Sequence, residues 1–230
     1  MNGIIIGTSL LRSTIPEGWT VRHVTSHYGK ISLFIAGDSA ILQRHGHPPL
    51  PPHKINHRAN LQGLRSLGVY RIISINSVGS LKRSVPPGTL LVPHDFMSPW
   101  SVPTFFDDEM RFTIPSMETE TRKRLIETCR AISLPVIDSG IYIQTTGPRL
   151  ETKAEIEMFR QFGDVVGMTM ANEATLSAEL AIPYASICSV DNYCNGIVPS
   201  PLTMDEIASN VRKNAEMLEH LIEELIIRGF

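Results

Sequence analysis

The sequence predicts an α/β fold built on a mixed, mostly parallel central sheet flanked by helices. Three observations carry that expectation. Short β-branched runs alternate with segments of helical period along the whole chain, the pattern of strand–helix–strand units. Several of those runs end in small polar residues, as strands do where an α/β sheet presents its ligand-binding edge. The chain has 230 residues, 42% hydrophobic and 19% charged, which suits one domain over 1–230 with a substantial core. No internal repeat or linker interrupts it.

The first strand is expected at 3–6, an apolar Gly-Ile-Ile-Ile that breaks at Gly7-Thr8-Ser9. Two further strands are expected at 31–36 and 40–43. Residues 44–57 hold four histidines and four prolines, and the prolines exclude both helix and central strand, so this segment reads as irregular. A helix is expected at 59–67. The β-branched run 71–76 reads as a strand stopping at Ser77-Val78-Gly79-Ser80, and another strand is expected at 89–93. Residues 98–117 mix prolines, aromatics and charges without period, which predicts a long loop of the kind that often carries function.

A helix at 118–132 comes next, then a strand at 140–144 ending in Thr145-Thr146-Gly147, and a helix at 152–162. A short strand at 165–168, a helix at 172–180 and a strand at 184–190 complete the alternation. That last strand stops on Asp191-Asn192-Tyr193. The closing helix is expected at 204–227. Its Ile207, Val211, Leu218, Leu221, Ile222 and Leu225 recur at helical spacing and are expected to face the core or another subunit rather than a ligand.

Composition excludes several function classes. Net charge is -2, the pI is about 6.4 and no basic block occurs, so no nucleic-acid surface is expected. Cys129, Cys188 and Cys194 are odd in number and lack metal-ligand spacing, which reads as free thiols in a reducing compartment. No apolar run approaches the ~18 residues of a membrane span, and the first residues lack a charged leader. The expectation is a cytoplasmic protein without a membrane partner. His53 and His57 have no cysteine or carboxylate cluster beside them, so no metal is expected. A Gly-x-Ser-x-Gly elbow is missing, which disfavours a Ser-His-Asp hydrolase.

Five expected strand ends are polar: Thr8-Ser9, Asn76-Ser77, Thr145-Thr146, Met168-Thr169 and Asp191-Asn192. Together they predict a shared pocket. Gly7-Thr8-Ser9 offers backbone N–H groups and a hydroxyl to an anion, or is simply a tight turn. In Arg44-His45-Gly46-His47 the arginine can grip a phosphate bidentately and a histidine can add a donor; a solvated basic loop is the other reading. Glu151 and Asp191 are the candidate acid–base or recognition carboxylates. A helix start is the alternative role for Glu151, and a turn for Asp191.

The segments "RHGH…PPHKINHRAN", "INSVGSL", "GPRLETKAEIEMF" and "GDVVGMT" occur in the order found in the trimeric purine nucleoside phosphorylase and methylthioadenosine phosphorylase family, and the sequence resembles that family from Ile4 to about Asn195. It lies close to the methylthioinosine phosphorylase-like branch. The resemblance implies a phosphorylase/hydrolase-like fold, a homotrimer or a dimer of trimers, no metal or organic cofactor, and inorganic phosphate as co-substrate. It implies Thr8, Arg44, His45, Asn76, Ser77 and Thr169 as phosphate ligands. Met168 would lie under the ribose and His47 near the 5′ group. Glu151 and Asp191 would read the purine beside Tyr193, and Asp191, His45 and Glu151 would carry the catalysis. Phe105 and Phe106 are the candidates for a contribution to a neighbouring subunit's site.

The sequence departs from the family pattern at informative places. Ser9 stands where the first loop has a glycine, and Asn172 stands where a proline is usual, a residue that could cap the following helix. Family members selective for 6-oxopurines pair a glutamate at position 151 with an asparagine at 191. Methylthioadenosine phosphorylases place a small hydroxyl residue at 151 and two aspartates two residues apart. Here Glu151 is combined with Asp191, and Tyr193 takes the second aspartate's place. Asp191 leans toward a 6-amino purine and Glu151 toward a 6-oxopurine, although a protonated Glu151 would donate to adenine N1. An apolar 5′-methylthio pocket is the preferred expectation over one for a free 5′-hydroxyl.

Overall fold

Strand β1 (Asn2–Ile6) buries every residue, because neighbours cover both of its edges and both of its faces. Parallel β4 (Ser39–Gln43) lies on one edge and parallel β5 (Arg71–Ser80) on the other. The two-residue alternation of the strands sends Ile5, Leu42 and Ile72 into one core and Ile4, Ile6, Ile41, Ile73 and Ile75 into a second. The first core is closed by α1 (His57–Ser66) and α4 (Met170–Glu179), through Leu61, Leu64, Met170, Ala174 and Leu176. The second is closed by α2 (Thr119–Ala131) and α5 (Met204–Arg228), through Leu125, Cys129, Leu218, Leu221, Ile222 and Leu225. This computed structural model describes every residue except Arg12, Thr14 and Ser101; Ser101, within the expected 98–117 loop, lies outside the described residues.

Beyond β4 the sheet continues antiparallel through β3 (Gly29–Ala36) to β2 (Thr20–Ser26). At β5 it forks. Gly79 and Ser80 pair antiparallel with β10 (Val165–Gly167), which leads to β9 (Ile141–Gln144) and β7 (Asp95–Met97). Along its length β5 also pairs in parallel with β11 (Tyr184–Tyr193), which meets β6 (Leu90–Leu91) and, through it, β8 (Val136–Ile137). Six of these ten pairings are parallel, so the sheet is mixed and mostly parallel, as expected. A third, smaller core forms where α3 (Lys153–Phe159) packs Ile156 and Phe159 with Ile143, Val166 and Cys194.

Two strands run further than their apolar stretches. β5 extends to Ser80 and β11 to Tyr193, because the parallel pairing continues past the hydrophobic residues. Val190 faces Val78 and Asn192 faces Gly79, which leaves Asp191 as the extra residue of a β-bulge. Asp191 is therefore set inside a strand and re-aimed by the bulge, rather than ending it.

Strands β2, β7 and β8 were not expected. β2 is an edge strand with mostly exposed side chains, and the other two are three and two residues long. The helix expected at 152–162 is shorter: Thr152 caps α3 in a reciprocal capping box with Glu155, and the helix stops at Phe159. α4 starts at Met170, so Asn172 lies within the helix and caps nothing. Among the described residues, no helix is long and apolar enough to cross a membrane.

Candidate active site

The ends of β1, β4 and β10 and the outer halves of β5 and β11 converge on a cavity of about 190 Å³. Thr8 follows β1, Arg44 and His45 follow β4, Ser77 lies in β5, Met168 and Thr169 follow β10, and Asp191 sits in the β11 bulge. Glu151 closes one side from the turn before α3. Leu202, Met204, Ile207 and Val211 form an apolar wall at the start of α5. An open groove of about 560 Å³ adjoins it, sharing Pro52 and Met168 and running past His57, Trp100 and Thr145.

Arg44 is 2% exposed and its guanidinium is anchored on three sides. Nε and Nη2 donate to the two carboxylate oxygens of Glu173 in α4, the second at 3.0 Å, and Nη1 donates to the Ile75 carbonyl at 2.9 Å. Burial disfavours the charge, the Glu173 carboxylate outweighs that, and the guanidinium is held above its ordinary pKa. A side chain at Gly7 would collide with Nη1 of Arg44, so the glycine of the first loop is required by this close approach. The carboxylate of Glu173 also accepts from the Tyr184 hydroxyl at 3.0 Å.

His45 points Nδ1 at the Leu50 carbonyl oxygen, 2.7 Å away, which fixes the proton of a neutral ring on that nitrogen. Nε2 then accepts from the Thr8 hydroxyl at 3.3 Å. Burial, and secondarily Arg44, push the ring's pKa below its ordinary value, against the pull of the Leu50 carbonyl. The resting ring is neutral at pH 7, and an anion in the cavity would favour its second proton. Thr169 stands at the N-cap of α4 but makes no side-chain cap; its hydroxyl accepts from Asn76 Nδ2 at 2.9 Å instead.

Asp191 is 1% exposed. Its Oδ1 accepts from Ser189 at 3.0 Å and from Asn214 at 2.9 Å, and Oδ2 accepts from Ser77. Asn210, one helical turn before Asn214, donates to the Asp191 carbonyl at 2.8 Å. Burial raises the carboxyl's pKa, and the donors Ser77, Asn214 and Ser189 oppose the rise. Glu151 accepts from the Thr145 hydroxyl at 2.7 Å, and the adjacent Thr152, not Glu151, caps α3.

The cavity thus gathers Thr8, Arg44, His45, Ser77, Thr169, Met168, Glu151 and Asp191 from the expected site residues. Asn76 lies behind it, bonded to Thr169. Tyr193 turns away, its hydroxyl donating to the Arg83 carbonyl at 3.2 Å, because it alternates along the strand with Asn192, which lines the cavity. His47 is exposed and outside the cavity. Phe105 packs edge-on against Tyr28 and its N–H donates to Glu179 at 2.6 Å, while Phe106 lies under the Arg111 guanidinium; neither reaches the chain's own cavity.

One expectation is corrected here. Ile207 and Val211 belong to the cavity wall, whereas Leu218, Leu221, Ile222 and Leu225 of the same stripe are core. Both sets share one face of a 25-residue helix, whose first turns line the cavity and whose later turns pack in the core. Glu173 closes the family's Met-Thr-x-x-Pro-Glu pattern but was given no role, and Asn210 and Asn214 are structural partners that no motif marked. The i, i+4 spacing of the two asparagines on a core-facing helix was the available signal.

The family model described as the phosphorylase superfamily matches residues 5–227. A protein of Archaeoglobus fulgidus named as a probable 6-oxopurine nucleoside phosphorylase is 40% identical over 98% of this chain and 96% of its own length. One of Methanocaldococcus jannaschii, named as a probable S-methyl-5′-thioinosine phosphorylase, is 37% identical over 100% of this chain and 93% of its own. Among solved structures, the methylthioadenosine phosphorylase of Schistosoma mansoni in complex with adenine superposes with a TM-score of 0.87 at 26% identity, over 98% of this chain and 90% of that one. Similarity of this extent, on the fold and cavity described, means that the chain belongs to the phosphorylase superfamily, in its group of purine nucleoside and methylthioadenosine phosphorylases.

Proposed function

We propose that the chain cleaves the N-glycosidic bond of a purine nucleoside with inorganic phosphate, releasing the free purine and a ribose 1-phosphate. The observation that carries this reading is one cavity holding both an anion-donor set, Thr8, Arg44, His45, Ser77 and Thr169, and two carboxyls, Glu151 and Asp191. A phosphate oxygen attacks C1′ as the C1′–N9 bond breaks, and the bonding pair leaves with the purine through an oxocarbenium-like state. A hydrogen phosphate dianion that becomes a sugar 1-phosphate dianion gives up one proton, and the purine gains one.

The donor set orients the anion, and orientation supplies much of such a rate enhancement. Asp191, whose protonated form is favoured by burial, donates to N7 and neutralises the departing base. Glu151 reads the purine's N1 side, and the Met168 backbone N–H meets a ribose hydroxyl. No metal or organic cofactor takes part.

The preferred substrate is a 5′-methylthio nucleoside, methylthioadenosine or methylthioinosine, which yields 5-methylthioribose 1-phosphate. The wall of Leu202, Met204, Ile207 and Val211 supports this, because a 5′-hydroxyl against it would lose its partners. His47, exposed and outside the cavity, does not contribute. The second reading, a general phosphorylase for nucleosides with a free 5′-hydroxyl, is favoured by the Archaeoglobus relative, whose name carries no methylthio group, while Glu151 bears only on the base. Hydrolysis by water is disfavoured by the anion-donor set. A purine-binding protein without turnover would be recognised by binding without product.

A homotrimer in the cytoplasm completes the proposal. Met110, Phe112 and Ile114 are 91%, 88% and 93% exposed on the loop after Phe105 and Phe106, an apolar stretch suited to a neighbouring subunit. The substrate assignment is tested by kcat/KM for adenosine, inosine, guanosine, methylthioadenosine and methylthioinosine. The methylthio nucleosides are expected to exceed their 5′-hydroxyl counterparts by about tenfold or more. Equal values would overturn the 5′ assignment.

A further inference from the structure

Two serines join the first loop to the buried carboxyl. Ser9 Oγ lies 2.6 Å from Ser77 Oγ, and Ser77 Oγ contacts Oδ2 of Asp191. Ser77 also lines the cavity, while Ser9, 8% exposed, sits behind it. Oδ1 of Asp191 is already occupied by Ser189 and Asn214, so Oδ2 is the oxygen free to carry a proton.

Each hydroxyl has one proton, and counting them gives two states. When Asp191 is ionised, Ser77 must donate to Oδ2, and Ser9 then donates to Ser77. Both protons point toward the carboxylate, and Ser77 has none left for an anion. When Asp191 is protonated, Oδ2–H donates to Ser77, and the Ser77 hydroxyl is free to donate to an anion in the cavity. An anion that takes the Ser77 proton therefore favours a proton on Asp191.

We propose that Ser9, Ser77 and Asp191 form a hydrogen-bond relay through which anion binding drives protonation of Asp191, with Ser9 as a positioning residue that sets the direction of the Ser77 hydroxyl. This deepens the proposed phosphorylase reading and rests on it. There, phosphate binding would load the proton that the purine leaving group needs, and the hydroxyl chain would connect the donor of the proton to its acceptor. Burial of Asp191 supplies a carboxyl already biased toward protonation. Among the described residues, the other ionisable groups round the cavity are Arg44, held by Glu173, His45, Glu151 and the Cys194 thiol, and α5 brings only the uncharged amides of Asn210 and Asn214 against Asp191. Of these, His45 also gains a proton with a bound anion, so the test must separate it from Asp191.

The test is calorimetric titration of the full chain with inorganic sulfate, whose own charge stays fixed near neutral pH. Titration in two buffers of different ionisation heat counts the protons taken up. The wild type is expected to take up protons, and Asp191→Asn and Ser77→Ala are each expected to lose the same part of that uptake, leaving the His45 part. The double variant is expected to lose no more than either single one, and Ser77→Thr to restore the uptake. Ser9→Gly is expected to reduce it without removing sulfate binding, and it reads the same relay if Ser77→Ala does not fold. Equal uptake in the wild type, Ser77→Ala and Asp191→Asn, with sulfate still bound, would overturn the relay. Failure of the wild type to bind either sulfate or phosphate would instead overturn the phosphorylase reading on which the relay rests.

Discussion

Arg44 and Glu173 meet fork to fork inside the protein, with Nη2 3.0 Å from Oε2 and the two side chains 2% and 1% exposed. Of the five N–H groups on a guanidinium, three are held by Glu173 and the Ile75 carbonyl. The remaining two are left for a ligand. Removal of either partner strands a buried charge. Glu173→Ala is expected to lower the unfolding free energy by about 3–5 kcal/mol, measured as a denaturant midpoint. Arg44→Ala is expected to raise the phosphate KM and lower turnover as well as stability. Unchanged phosphate kinetics would remove Arg44 from the site.

His57 gives a pH prediction of definite sign. It is the first residue of α1, it is buried, and neither ring nitrogen has a hydrogen-bond partner among the described residues. Burial lowers its pKa from 6.5 to about 4. Between those values the unfolded chain takes up a proton that the folded ring refuses, so stability falls as pH drops through 6.5 and the loss levels off below about 4. The whole effect amounts to about 3 kcal/mol. His57→Phe is expected to remove that part of the slope, so the variant gains on the wild type between pH 7.5 and pH 5. Parallel stability curves would contradict it.

The carboxyl of Asp191 should decide which purine is preferred. With its proton given to N7, the Asp191 carboxyl has only an acceptor left for the 6-substituent, which suits a 6-amino group and repels a 6-oxo group; an amide tolerates O6 and N7 together. Asp191→Asn is expected to shift kcat/KM from adenine toward hypoxanthine nucleosides, by about tenfold. An unchanged ratio would refute the role.

The apolar wall at the start of α5 predicts a 5′ effect. Ile207→Thr and Val211→Thr place a hydroxyl where the methylthio group would pack. Each is expected to cost about tenfold in kcat/KM for methylthio nucleosides and much less for the 5′-hydroxyl ones. Equal losses for both substrate types would mean that the wall does not touch the 5′ group.

The architecture was legible because the central strands are continuous apolar runs, of which β1 is the clearest, and because β-strand and helical periods alternate cleanly. β2 was not legible, since an exposed edge strand leaves no hydrophobic signature. The bulge at Asp191 was hidden for a related reason: the pairing that carries β11 to Tyr193 is made by backbone groups that no side-chain pattern reports. In the site, Arg44, His45, Glu151 and Asp191 stood out as chemistry-bearing residues beside turns and strand ends. Their partners did not. Glu173 ends a family motif that says nothing of its partner 129 residues earlier, and Asn214 lies on a helix whose period marked it only as part of a face. Tyr193 and His47 show the converse, two polar residues in or beside the motifs that do not line the cavity.

Phosphorolysis is measured most directly as turnover of methylthioinosine and methylthioadenosine with and without inorganic phosphate, with the sugar product identified. The rate is expected to saturate with phosphate, and the products to be 5-methylthioribose 1-phosphate and free purine. Purine release at the same rate without phosphate, giving the unphosphorylated sugar, would contradict it.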